Sequence, residues 1–254
     1  MTMSAVAEQV ANQVSAITEV TQPSNASEGQ KKNAPQPKRK PEPKRKISTP
    51  TISSSVSLHT DVAQRVFRDT FQVASRSLFT IDVVTRALAK KNTAFDYSEV
   101  LNAVMKIIDD IQAKLSKDTA QIELVLASEK VISKTRYDHS VEQGYSISTP
   151  HANRFAVIIS DLDNYLVLID TAWLSGLIPS NAVADLKYGW RRSVLRATRQ
   201  LTHIARDSMK KVNRSGDELA AEVREELGDD VEADQAILTD ALANEDDQQS
   251  AEVA

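Results

Sequence analysis

The chain has 254 residues, no cysteine and a formal net charge of −4. The absence of cysteine excludes disulfide frameworks, thiol catalysis, cysteine-ligated zinc and iron–sulfur clusters. The small total charge conceals three blocks: residues 1–50 carry a net +4, residues 51–216 a net +5 and residues 217–254 a net −13. A polarity of this kind points to a nucleic-acid or membrane partner and an acidic tail.

In chain order, residues 1–50 hold six of the eight prolines and the clusters Lys38-Arg39-Lys40 and Lys44-Arg45-Lys46. Closely spaced prolines favour extended, solvated backbone, so residues 1–51 read as a disordered basic arm. A short amphipathic helix over 6–20 is a weaker alternative. The start lacks the basic and apolar regions of a secretory signal. Ordered structure is expected from Ile52. Ile52, Val56 and Leu58 alternate with Ser53, Ser55, Ser57 and His59, the pattern of a half-buried strand. Asp61 is then a helix cap, with Gln64 as its capping-box partner. The helix that follows carries Val62, Val66, Phe67, Val73, Leu78, Ile81, Val84 and Leu88 mostly on one face, with a break allowed near Thr70 or Ser75–Ser77.

A polar connection over 90–94 and a second capping box at Asp96–Glu99 precede an amphipathic helix through Val100, Val104, Ile107, Ile108, Ile111 and Leu115. Residues 119–140 mix strand-like alternation with helix formers, and helix is the preferred reading. Residues 144–149 alternate again and make a second candidate strand. Thr149-Pro150 starts a helix that runs to Leu174, apolar on most sides and therefore central; Gly176 and Pro179 end it. The most apolar run of the chain, 155–178, is interrupted by Asp161, Asp163, Asn164 and Asp170, which argues against a membrane span. Ser180 or Asn181 caps the last long helix, which reaches about Arg214. Residues 215–254 form an acidic tail in which Leu219, Leu238 and Leu242 could make a transient helix, but so many like charges favour disorder.

The last helix holds the most informative pattern. Val183, Leu186, Trp190, Val194, Ala197, Leu201 and Ile204 define its core face. Arg192, Arg196, Arg199, His203, Arg206 and Lys210 repeat at the same period two residues out of phase, which places them on the opposite side. Residues 181–214 carry a net +7. Arginine predominates, and its planar fork suits phosphate and guanine edges. The plainer alternative is a solvated basic face, or one that pairs with the acidic tail. A two-stranded ribbon bearing Ser53, Ser55, Ser57 and His59 fits a DNA major groove, but on these residues alone a sheet edge facing water is the preferred reading. Lys38, Arg39, Lys40, Lys44, Arg45 and Lys46 would add salt-dependent phosphate affinity.

Catalytic patterns are missing. Asp161–Asn164 resembles the start of a calcium loop, yet Leu166 stands where glycine is needed and Ala172 where the closing glutamate belongs. Asp161 and Asp163 are better explained by polar partners or the positive end of a neighbouring helix. The four histidines are scattered, and no phosphate-cradling glycine loop or nucleophile elbow occurs. No enzymatic activity, metal or cofactor is expected.

Two blocks carry a family resemblance. Leu58-His59-Thr60-x-x-Ala63-Gln64-Arg65-Val66-Phe67 is similar to the opening motif of AcaB-like proteins of conjugative plasmids and integrating conjugative elements. Ile158-Ile159-Ser160-Asp161-Leu162-Asp163, followed by Thr171-Ala172-Trp173-Leu174-Ser175-Gly176-Leu177-Ile178, resembles that family's second block. The resemblance covers roughly residues 53–209. The chain departs from it at 92–96, which lacks the family's proline, and at Leu162, which replaces an aromatic residue.

The resemblance implies a mainly α protein with one or two short β-strands and ribbon-helix-helix-like features, its domain spanning 52–214 between disordered tails. It also implies a dimeric, double-stranded-DNA-binding regulator that activates conjugative-transfer genes, in the bacterial cytoplasm and associated with the nucleoid. A ribbon built from one strand of each subunit would explain the dimer. Asp61 would repel phosphate at the first helix start, whereas Thr149, His151, Asn153 and Arg154 suit it, so the second strand is the favoured reader. The expected DNA contacts are Asn153, Arg154, Arg192, Arg196, Arg199, Ser55, Ser57 and His59. The alternative is a non-enzymatic interaction or scaffold protein of the conjugation or integration machinery.

Overall fold

The computed structural model describes residues 50–91 and 97–227. Expectations for the basic arm and its clusters at 38–40 and 44–46, for the Asp96 capping box, and for residues 228–254 fall outside them. The described chain is mainly helical with one two-stranded sheet.

Strands β1 (Ile52–Leu58) and β2 (Val141–Ile147) pair antiparallel within the one chain, with Ile52 opposite Ile147 and Leu58 opposite Val141. This corrects the reasoning from one strand per subunit: the ribbon is complete without a second copy. β2 also begins three residues earlier than the alternation indicated. The expected sidedness of β1 holds in its second half, where Val56 and Leu58 turn inward and Ser55 and Ser57 outward. At the ribbon's end Ile52 is 70% exposed.

Helix α1 (Asp61–Val66) continues through a π-helical turn (Phe67–Phe71) into α2 (Gln72–Lys91). The cap is Thr60 rather than Asp61: its hydroxyl accepts from the Ala63 N–H at 3.3 Å. Asp61 is the first helical residue and pairs with Arg65 one turn on, at 2.8 Å. Gln64 makes no capping box; its side-chain amide donates to the Leu58 carbonyl at 3.1 Å. Near Thr70, where a break was allowed, the helix widens instead of stopping. The Thr70 hydroxyl bonds the Val66 carbonyl at 2.7 Å, while Phe67 and Phe71 stack with centroids 4.7 Å apart. Tyr145 of β2 packs edge-on against Phe71 at 4.8 Å, which seats the ribbon on this turn.

The two segments expected as separate helices are one, α3 (Tyr97–Ser128). It ends in a Schellman arrangement in which the Val131 N–H reaches the Leu126 carbonyl and the Lys130 N–H that of Ala127. Lys130 takes the left-handed conformation (φ 55°), and the chain then runs without helix to β2, so the helix expected over 119–140 holds to Ser128 and is corrected beyond it. Helix α4 (Pro150–Leu174) has the anticipated bounds. Thr149 caps it, and a second Schellman arrangement with Gly176 at φ 74° closes it. It lies at the centre, with Phe155, Ile158, Ile159, Leu162, Leu166 and Ile169 fully buried.

Helix α5 (Ser180–Ser215) follows Pro179, which has no side-chain cap bond. Ser180 and Asn181 are therefore not caps; the Ser180 hydroxyl instead accepts from the Trp173 indole N–H at 3.1 Å. α5 runs alongside α2 in the same direction, as the Arg191–Asp69 and Ser77–Thr202 contacts show. It runs opposite to α4, where Lys187 pairs with Asp170 at 2.6 Å and Trp190 meets Tyr165. The acidic segment from 217 is not wholly a tail. Gly216, at φ 126°, turns the chain into α6 (Asp217–Leu227). Leu219, Ala220 and Val223 then join Val83, Val84, Leu88 and Val212 in a second apolar cluster. Charge argued for disorder there; the apolar face, held by Arg86–Glu226 and Lys90–Glu222 pairs, prevails.

Candidate nucleic-acid interface

The core face read for α5 is the observed one. Val183, Trp190, Val194, Ala197 and Leu201 are buried, and Leu186 and Ile204 pack partly buried against them. The opposite side exposes Arg192, Arg196, Arg199, His203 and Lys210, with Arg206 half-buried. From Arg192 to Lys210 the stripe extends about 27 Å at 1.5 Å per residue. Among the described residues Arg192, Arg196 and Arg199 form no ion pair. Farther along, Asp207 engages His203 at 3.0 Å and Lys210 at 3.2 Å. The Lys210 hydrogen bond, then the nearby His203 and lysine charges, hold the Asp207 carboxyl below its ordinary range. The three free guanidinium groups thus concentrate at the middle of the helix.

Two lysines that sequence reasoning missed enlarge this surface. Lys106 and Lys114 of α3 line, with Arg196, Ser193 and Gln200, a shallow groove of about 370 Å³ between α3 and α5. Asp110 lies in the same groove, so cations still outnumber carboxylates there. Lys114 is anchored over the Trp190 ring at 4.7 Å and donates to Ser193 at 3.4 Å. The signal was present as Lys106-Asp110-Lys114, spaced one helical turn apart on the polar side of α3.

The other expected contact residues lie apart from this stripe and are mostly engaged. On the ribbon, Ser55 donates to Glu142 at 2.7 Å, and Ser57 is exposed directly opposite Glu142. The outward ribbon residues Ser53, Ser55, Ser57, Glu142, Gly144 and Ser146 include no cation. At the start of α4, Arg154 is bound to Asp109 and Gln112 of α3. His151 is half-buried, and burial, then the Arg154 charge, lower its pKa. Thr149 is buried in capping, so of the residues favoured at this helix start Asn153 alone is exposed.

His59 belongs to a different construction. Its backbone N–H and its Nδ1 both meet Asp163 Oδ2, at 2.8 and 2.9 Å. The Thr60 N–H and hydroxyl both donate to Asp163 Oδ1, at 2.8 and 2.7 Å. Asp163 is 2% exposed. It sits at the N-terminal end of α1, where a carboxylate is favoured by the unpaired N–H groups and the helix dipole. The two blocks carrying the family resemblance thus meet in space, Leu58-His59-Thr60 against Asp163. The third run closes α4: the Thr171 hydroxyl accepts from the Thr135 N–H at 3.0 Å, and Gly176-Leu177 forms the Schellman turn.

No family model matches the chain, and no curated protein does. A solved structure is similar over 74% of this chain and 98% of its own, at 25% identity and a TM-score of 0.66: selenomethionine-containing AcaB from uropathogenic E. coli. The chain has an AcaB-like fold. Nearly the whole of AcaB is therefore spanned by it. Among the described residues no helix is long and apolar enough to cross a membrane, and no group of three metal-ligating side chains occurs.

Proposed function

We propose that this chain is a DNA-binding transcriptional regulator, an activator of conjugative-transfer genes on a mobile element, acting as a dimer. The observation that carries the DNA-binding part is the row of exposed, unpaired Arg192, Arg196 and Arg199, continued by Lys106 and Lys114. Such a surface attracts a phosphate backbone and displaces its counterions. The AcaB-like fold supports the regulatory part, through the role that the resemblance implies. The ribbon and Asn153 contribute shape and small polar groups rather than positive charge. Lys38–Lys40 and Lys44–Lys46 add phosphate affinity.

Binding to promoter fragments of the element that encodes it, measured at several salt concentrations, tests this reading. Arg192→Ala, Arg196→Ala and Arg199→Ala together should weaken binding at least about tenfold and lower the salt slope by roughly 2–3. Unchanged affinity and slope would remove α5 from the interface, and no salt-dependent binding at all would end the reading.

A second reading, an interaction protein of the transfer machinery, is favoured by apolar side chains at the far end of α3 and α4. Ile132 is 95% exposed and Leu174 65%. They share one end of the molecule because the chain after α3 bonds to Thr171. Retention of a protein partner in nuclease-treated extract, with loss on Leu174→Asp, would support it over the first.

A further inference from the structure

Beside the ribbon lies a groove of about 570 Å³ that neither reading uses. Its floor is aromatic: Phe67 and Phe71 from the π-helical turn, with Tyr145 of β2 across them at 5.6 and 4.8 Å. Its rim carries Arg68 and Arg76. Arg68 is 71% exposed beside Asp69, at 3.3 Å, so its guanidinium stays largely in solvent. An occupant that fits must combine apolar side chains with negative charge. Leu227, the last residue of α6, forms part of the groove's wall.

The chain beyond Leu227 has that chemistry. Residues 228–254 contain nine Asp and Glu and no Lys or Arg, interspersed with Val231, Ile237, Leu238 and Leu242. No span needs to be bridged, because the segment starts at the groove. We propose that residues 229–242 dock intramolecularly in this groove, apolar side chains toward Phe67, Phe71 and Tyr145 and carboxylates toward Arg68 and Arg76. This differs from a tail lying on the α5 stripe, the alternative that the charges alone offer. The docked segment places a polyanion alongside β2, where it competes with any nucleic acid approaching the ribbon. The docking itself does not depend on DNA binding.

The absence of cysteine makes a direct test simple. Nitroxide labels on Ser146→Cys, at the groove edge, and Ala241→Cys report the separation by pulsed electron resonance in the full chain. A free coil from Leu227 to Ala241 has an r.m.s. span of about 20 Å and would give a broad distribution. Docking gives a short, narrow component at low salt. Arg68→Glu should abolish that component, and so should about 1 M salt, where screening acts within about 3 Å. A distribution that is broad under all conditions overturns the proposal. So does a narrow component between Gln200→Cys and Ala241→Cys instead, which would put the segment on α5. A short separation that disappears when labelled chain is diluted into unlabelled chain also overturns it, in favour of docking onto a second copy.

Discussion

The Asp163 carboxylate takes four hydrogen bonds from two consecutive residues that precede it by 103 and 104 positions. Bonds to a buried charge contribute more than neutral ones, and donors left without their acceptor cost their full desolvation. Asp163→Ala should therefore lower the unfolding free energy by about 3 kcal/mol, read from urea denaturation. A loss below about 0.5 kcal/mol would show that water replaces the carboxylate without penalty. His59→Ala removes one of the four bonds, so about 1 kcal/mol is expected, with DNA affinity unchanged. Reduced affinity at full stability would restore His59 to the interface. Sequence reading recognised Asp163 as facing a polar partner or a helix start. It could not tell which helix, because a side-chain acceptor bears no mark of a donor a hundred residues away. For the same reason Arg154 looked like a free cation: nothing local announces Asp109.

At the scale of elements, legibility followed the presence of local stop and start chemistry. α4 was readable to the residue because Thr149-Pro150 and Gly176 do at its ends what such residues do elsewhere. The end of α3 was not, because its left-handed position holds Lys130 where glycine is usual. A side chain there costs about 1–2 kcal/mol of backbone strain, partly offset by the smaller entropy lost on folding. Lys130→Gly should accordingly raise stability by about 0.5–1 kcal/mol, visible as a higher thermal midpoint. A lower midpoint would mean that the strain is already relieved by neighbouring contacts. The core face and basic stripe of α5 were both legible, since each repeats with the helical period over several turns. Lys106 and Lys114 were overlooked because half of their site lies on another helix.

For the whole molecule, the boundary between fold and tail lies later than net charge indicated. Residues 217–254 carry one basic and fourteen acidic residues, a composition typical of chains that stay unfolded. Yet Leu219 and Val223, one turn apart, cover apolar side chains of α2 and α5 that would otherwise face water. In the sequence, the excess of like charge outweighed that short amphipathic stretch. In about 1 M salt, where the docked segment is released, a chain ended after Leu227 should unfold at the same urea concentration as the full chain. One ended after Gly216 should lose roughly 3–5 kcal/mol, the burial of two large apolar side chains and an alanine. Equal stability of the two truncated chains would show α6 to be an ornament of the fold rather than a part of it.

The ribbon's pairing within one chain has a consequence for biosynthesis. Ser55 waits for Glu142, 87 residues later, and Thr60 waits for Asp163. At about 5–20 residues per second, β1 leaves the ribosome several seconds before its partner strand exists. During that interval both its edges are open, and the start of α1 lacks its acidic clamp. The polar serines along Ser53, Ser54, Ser55 and Ser57 then matter in a second way, because a solvent-compatible strand is a poor template for aggregation while it waits. The ribbon and its clamp close late, once α4 has emerged, so completion of this surface reports that the central helix is already in place.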